Sequence, residues 1–208
     1  MKVAVIGATG SAGSRITAEL LKRGHHVRAI VRSRDKIAST QGLEVATSDL
    51  SHVAQLVDAL DGADAVVSAY RPPDHDTGQI IDTTQRITGA VKKNKQRLLV
   101  VGGAGGLFVA PGVTAIASGH LPEPALPIAK SHEQVRKDLK ESGADWTYFA
   151  PAGLFEPGER TGKFRLGKDD LIVDASGNSR ISMEDYAIAL VDELEKPKHR
   201  GGRFTIGY

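Results

Sequence analysis

The sequence predicts an α/β fold, a doubly wound parallel sheet covered by helices on both faces, and three observations carry that expectation. Short continuous apolar runs alternate with amphipathic stretches along most of the 208 residues, as strands buried on both faces and their crossover helices must. The first run, residues 3–6, leads straight into Gly7-Ala8-Thr9-Gly10-Ser11-Ala12-Gly13 and then into a helical pattern. Two long segments rich in glycine and proline, 104–127 and 151–160, follow later strands, where an open sheet of this kind places its ligand loops.

After the opening strand, a helix carries Ile16, Leu20 and Leu21 on one side. Residues 27–31 form the second strand, 34–39 a short helix and 43–47 the third strand. A helix over 51–60 aligns Val53, Leu56, Val57 and Leu60, with Asp49 or Ser51 available to start it. Strand 65–69, a long helix over 77–93, strand 98–102, a helix over 131–141 and strand 146–150 continue the alternation. Segment 163–173 reads as a hairpin with an open sheet edge. Ser182-Met183-Glu184-Asp185 is a capping box for a helix ending at Leu194, and 203–206 is a last strand. Right-handed crossovers wind such a chain into one sheet. With no linker and no repeat, residues 1–208 are expected to form a single Rossmann-like domain with a small C-terminal hairpin, helix and strand extension.

A strand, a glycine turn and a helix start put free backbone N–H groups and a positive helix end beside a tight bend, a seat for a pyrophosphate. Gly7 turns the chain out of the strand, Gly10 lets backbone approach the phosphates, and Gly13 lets the helix close on the sheet. Thr9, Ser11 and Ala12 add small side chains and N–H groups. The expected ligand is a dinucleotide.

At the end of the second strand, where an acidic residue would bind a ribose 2′-hydroxyl, stands Val31-Arg32-Ser33-Arg34, with Lys36 close behind. Arg32, helped by Arg34, can pair with a 2′-phosphate and stack on adenine, so NADP(H) is expected in preference to NAD(H). Arg15 is a third candidate cation. Asp49 and Leu50 border the adenine, with Asp49 either accepting from its amino group or capping the next helix. Ser68-Ala69-Tyr70-Arg71 ends the fourth strand, where the small residues at 68 and 69 let the ribose pass over the sheet edge. Gly102 and Gly103 close the fifth strand, and Pro151 follows the next.

A hydrophobic content of 40% and a charged content of 25% are globular values, and a net charge of +2 without a long Lys/Arg run argues against nucleic-acid binding. The basic stretch 92–97 reads as a helix C-terminus. The absence of cysteine excludes disulfides, thiol catalysis and cysteine-ligated metal. Asp74, His75 and Asp76 are loop neighbours that do not converge easily on one ion, so no metal is expected. Met1-Lys2 leads directly into the first strand and no apolar run has membrane-spanning length; the expectation is a cytoplasmic protein without membrane association.

Several stretches carry a family resemblance: residues 6–13, Ile30-Val31-Arg32, Ser48-Asp49-Leu50, residues 100–107, residues 139–143 with Trp146-Thr147-Tyr148, Pro151, residues 160–164, residues 181–187 and residues 204–208. Across nearly its whole length the chain resembles the atypical short-chain dehydrogenase/reductase superfamily. Within it, the chain is similar to the NAD(P)H-binding group that includes flavin reductases and biliverdin-IXβ reductase. The resemblance implies hydride chemistry, with one departure. The superfamily's Tyr-x-x-x-Lys pair is here Leu126-Pro127-Ile128-Ala129-Lys130, so Lys130 carries over as a ribose-holding residue and the tyrosine does not. The serine usual after the fifth strand is also missing from residues 102–106.

Ketone reduction with an in-place tyrosine acid is therefore not expected. A flavin, a quinone or a biliverdin-like acceptor needs less, because holding two rings in contact can by itself supply roughly 7–11 kcal/mol. Flavin is then a substrate, not a tightly bound cofactor. The glycines after the fifth strand are read as a flat shelf for the acceptor, with Phe108, Leu154 and Phe155 either its walls or ordinary core, in a pocket built from 104–127 and 151–173. His132 falls where biliverdin-IXβ reductase-like proteins carry a histidine; it either donates a proton or binds an acceptor anion, or simply caps its helix at the surface. Tyr70 is a reserve donor. The alternative is a redox sensor of the NmrA-like type, which binds the dinucleotide without turnover and acts on a protein partner. A homodimer through the 163–173 edge is compatible with either. A nucleotide-sugar epimerase needs a tyrosine base and a larger second domain, and the chain shows neither.

Overall fold

Val3, Ala4, Val5 and Ile6 are all buried, which a strand achieves only with neighbours on both edges and helices on both faces. In a computed structural model of the protein, which describes residues 1–34, 37 and 40–208, this strand, β1 (Lys2–Ile6), lies inside the sheet. It is followed by α1 (Ser11–Lys22), β2 (His26–Val31), β3 (Leu43–Thr47), α2 (Val53–Leu60), β4 (Ala65–Ser68), α3 (Gln79–Lys93) and β5 (Arg97–Val101). A short hairpin, β6 (Phe108–Ala110) and β7 (Val113–Thr114), precedes α4 (Leu126–Glu141) and β8 (Asp145–Ala150). The chain continues through β9 (Leu154–Glu156), β10 (Arg165–Gly167), β11 (Arg180–Ser182), α5 (Met183–Glu195) and β12 (Gly202–Gly207).

Among the described residues the main sheet has the order β10-β12-β8-β5-β4-β1-β2-β3, and every pairing in it except β10 with β12 is parallel. β1 pairs with β2 on one side and β4 on the other, so the chain reverses its direction of winding between β1 and β4. A crevice opens outside the carboxyl ends of strands at such a point. The sheet separates two cores. One lies under α1 and α5 and includes Ile16, Leu20, Phe149, Tyr186 and Phe204; the other lies under α2, α3 and α4 and includes Leu56, Ile87, Leu98, Val135 and Trp146. In the first, Phe149 stacks between Tyr186 at 4.1 Å and Phe204 at 3.9 Å, and the Tyr186 hydroxyl donates to the Phe149 carbonyl at 2.7 Å.

Four expectations change. Segment 104–127 is not structureless: it holds two 3-10 turns and the β6–β7 hairpin, turned at Gly112 with φ +74°. The helix expected over 131–141 begins at Leu126, with Pro127 in its first turn, where proline's fixed φ suits a helix and its missing N–H costs nothing. Residues 163–173 bend back, with Arg165 donating to the Val173 carbonyl at 2.6 Å, but form no pair of strands with one another. β10 pairs antiparallel with β12 as the sheet's edge strand, and the Phe108 backbone bonds to Asp169 and Leu171. Finally, α2 starts after His52, so neither Asp49 nor Ser51 caps it. Asp35, Lys36, Ala38 and Ser39 lie outside the described residues, and with them the short helix expected over 34–39.

Candidate dinucleotide and acceptor site

The glycine turn sits at the mouth of the crevice, and two of its glycines are required by contact. Gly7 has φ +78°, and a Cβ there would lie 2.5 Å from the Ala69 carbonyl oxygen at the end of β4. A Cβ on Gly13 would lie 2.0 Å from the Gly7 carbonyl oxygen, so α1 closes on the strand end only because residue 13 is glycine. Gly10 is the N-cap of α1; it contributes no side-chain cap, and no acidic residue occupies the first turn. The Gly10 N–H donates to the Gly7 carbonyl at 2.9 Å, which shapes the bend. Thr9, Gly10 and Ser11 are exposed. The turn therefore presents an uncapped positive helix end with no competing carboxylate, the environment a pyrophosphate fits.

Along the crevice, Arg32 and Arg34 leave β2 as exposed cations without an ion-pair partner among the described residues. Arg15 is not available as a third cation. Its Nε donates to Glu184 and its guanidinium to the Ser11 carbonyl at 2.8 Å. Asp49 is exposed and accepts from the Ser51 N–H at 2.9 Å and the Ser51 hydroxyl at 2.6 Å, bonds that hold its carboxyl below the usual range. Leu50 takes a left-handed conformation with φ +64°, rare for a bulky residue. It is held there by the Ser48 hydroxyl accepting from its N–H at 3.1 Å and by Arg86 donating to its carbonyl at 3.0 Å. Strain held in place by such bonds gathers at ligand sites, and this one lies at the expected adenine border. Ala69 and Tyr70 are half-buried, and the Tyr70 hydroxyl donates to Gln79 at 3.3 Å. Pro151 is buried at the end of β8.

Beyond β5 the expected glycine shelf is not what the glycines serve. A Cβ on Gly102 would fall 2.3 Å from the Tyr148 ring, one on Gly103 3.1 Å from the His132 ring, and one on Gly106 2.2 Å from Glu133. The side-chain space is filled by the protein itself, so these glycines seat the loop on α4 and β8. Tyr148 fastens it: its hydroxyl accepts from the Gly103 N–H at 2.8 Å and, under burial, its pKa is pushed up. A tyrosine inside a buried strand needs a partner for its hydroxyl, and that need is the signal in the sequence for this role of Tyr148.

His132 is not a surface cap. It is half-buried edge-on to Tyr148 at 6.5 Å, its Nδ1 is sealed from solvent without a partner, and burial lowers its pKa to about 4. It is a neutral imidazole at pH 7 and cannot hold an anion by charge. Lys130 is exposed on α4, one turn after Leu126. Of the expected apolar walls, Leu154 is exposed, Phe108 is half-buried, and Phe155 packs into the core at 4.7 Å from Tyr186. Asp74 pairs with Arg71 at 2.6 Å, and no group of three or more His, Asp or Glu among the described residues is placed to hold a metal. No helix among them is long and apolar enough to cross a membrane.

Fold, crevice and glycine turn define a nucleotide-binding protein of the Rossmann class. The chain belongs to the NAD(P)H-binding family, whose model matches residues 7–197. It is 40% identical to the uncharacterized protein YwnB of Bacillus subtilis (strain 168) over 99% of this chain and 98% of that one. Among solved structures it is similar to one called a putative epimerase from Bacteroides thetaiotaomicron, with 46% identity, TM-score 0.93, and 100% and 96% of the two chains covered. It is also similar to one called a putative NADH-flavin reductase from Streptococcus pneumoniae TIGR4, with 35% identity, TM-score 0.90, and 100% and 99% covered. The chain thus has an NAD(P)H-binding, oxidoreductase-like fold.

Proposed function

We propose that the protein is an NADPH-dependent oxidoreductase that passes hydride to a planar acceptor of the flavin or quinone class. The observation that carries the reading is the uncapped, carboxylate-free start of α1 facing the Gly7 bend, with Arg32 exposed at the end of β2 and without an ion-pair partner among the described residues. The dinucleotide, when bound, supplies the hydride. Backbone N–H groups at Gly10–Gly13 hold its pyrophosphate, and Arg32, with Arg34 beside it, pairs with the 2′-phosphate. Leu50 lies against the adenine, Lys130 bonds the nicotinamide ribose, and Pro151 shapes the far wall. The acceptor enters between 104–110 and 151–156, where the exposed Leu154 offers an apolar surface. Neither His132 nor Tyr148 is suited to protonate it: His132 is neutral, and the Tyr148 hydroxyl accepts from the Gly103 N–H while donating to the His132 carbonyl at 3.4 Å. An acceptor that takes its proton from water suits such a site. The NADH-flavin reductase label of the Streptococcus relative supports the same reading.

The test is steady-state oxidation of NADPH and NADH with FMN, riboflavin and a panel of quinones, for the natural chain and for Arg32→Ala. Turnover with NADPH preferred, and that preference falling by about tenfold or more in the variant, is the expected result; a charge-assisted bond to the 2′-phosphate is worth that much. Tight NADPH binding without oxidation in the presence of any acceptor would replace the enzyme by a redox sensor.

A further inference from the structure

Between Phe155 and Phe164 the chain runs entirely exposed, yet each of five consecutive residues is bonded down. The Gly158 N–H donates to Glu184 at 2.7 Å, and the Glu159 carbonyl accepts from the Ser182 hydroxyl at 2.7 Å. Arg160 grips Glu19 through two bonds of 3.0 and 2.9 Å. The Thr161 hydroxyl and the Gly162 N–H both donate to Asp185, the latter at 2.8 Å. This strap roofs a cavity of about 390 Å³ floored by Ile181, Ser182 and Tyr208. With no buried side chain of its own in that stretch, it is held down, among the described residues, by polar bonds to α1, to Ser182 at the end of β11 and to α5.

One anchor differs from the rest. Glu184 uses its second carboxylate oxygen on Arg15, and Arg15 donates onward to the carbonyl of Ser11, the first residue of α1. A continuous chain of bonds therefore runs from the start of α1 through Arg15 and Glu184 to Gly158. Burial alone would raise the pKa of Glu184, but Arg15 and the Gly158 N–H hold it low, so the carboxylate is charged and keeps both bonds at neutral pH. We infer that Glu184 is a positioning residue that couples the dinucleotide seat to the strap. A dinucleotide in the seat steadies Ser11, and through Arg15 and Glu184 it steadies the strap already bonded over the cavity. The coupling is reciprocal: loosening the strap at Glu184 weakens the seat. The inference rests on the dinucleotide seat of the proposed function and is independent of the acceptor.

Amide hydrogen exchange, followed with and without NADPH, tests it. In the natural chain NADPH slows exchange of residues 156–163 by about fivefold or more, the lower range of site-to-site coupling. In Glu184→Gln the strap exchanges faster without ligand, NADPH no longer slows it, and the Kd for NADPH rises by the same factor that is lost. Arg15→Gln breaks the link from the other side and gives the same pattern, and the double variant adds nothing further. Thr161→Val loosens the strap at a different anchor and keeps the NADPH response. Exchange at residues 10–15 reports the seat separately. Slowed exchange there with an unresponsive strap overturns the coupling, as does a response that survives Glu184→Gln.

Discussion

At the scale of single residues, the site is built from positions where one atom more or one charge less would fail. Gly7 and Gly13 were legible in the sequence, because no side chain fits where a Cβ would meet a backbone oxygen at 2.5 or 2.0 Å. Arg32, a cation where NAD-type sites carry an acid, is exposed at the end of β2, and the Arg32→Ala comparison of NADPH with NADH tests its proposed role. Gly102, Gly103 and Gly106 were misread, since a glycine does not announce which side chain fills its space; here Tyr148, His132 and Glu133 do. His132 shows the same limit for charge. Its folded pKa of about 4 lies below the ordinary value of 6.5, so the unfolded chain binds a proton that the folded chain refuses. The stability due to neutral His132 is fully present above pH 6.5 and is lost as the pH falls toward 4. Over that window it amounts to about 3 kcal/mol. Urea unfolding of His132→Phe at pH 7.0 and 4.5 should show a smaller loss of stability on acidification than the natural chain; equal losses would mean that the histidine is charged in the fold.

Among elements, the helices that flank the first core are held together by ions as well as by their apolar faces. Arg23 on α1 bonds Glu19 at 2.8 Å and reaches α5 at Asp192, 2.7 Å, and Glu195, 2.9 Å. At the opposite end of the sheet from the crevice, Arg97 on β5 and Glu193 on α5 form a pair with only 6% and 3% of their side chains exposed. Arg97 also donates to the Thr147 hydroxyl, and Glu193 accepts from His199 at 2.7 Å. Removing one member of such a pair strands a buried charge, so Glu193→Leu should cost about 3–5 kcal/mol in urea unfolding, while adding Arg97→Met should recover most of it. A double variant no more stable than the single one would show that the packing around the pair, not the stranded charge, sets the cost. Strands and helices with their own periodicity were readable within a residue or a few of their ends. β6, β7, β9, β10 and β11 were not, because each is too short to carry a pattern and exists only through the strand it pairs with.

For the molecule as a whole, the dinucleotide should act as a stabiliser, since its seat joins the ends of several strands and exists only in the folded chain. At 100 times its Kd, NADPH adds about 2.7 kcal/mol, which raises the Tm of a chain this size by about 5–10 °C. Thermal unfolding followed by circular dichroism, with NADPH and NADH compared at equal concentration, checks this; an unmoved Tm would show that the folded chain does not bind the dinucleotide.

What the sequence determined by itself was the class of fold and the glycine turn of an NAD(P)H-binding chain. Both are written in local terms: burial on two faces in the run of apolar residues, and backbone freedom in glycine. What only the tertiary structure decided was the company each side chain keeps. It took Arg15 out of the cofactor site and gave it to Glu184. It neutralised His132 and set the Tyr148 hydroxyl between a loop N–H, from which it accepts, and the His132 carbonyl, to which it donates. Charge state and hydrogen bonding depend on burial and on partners far away in the chain, and those distances are set only when the sheet closes.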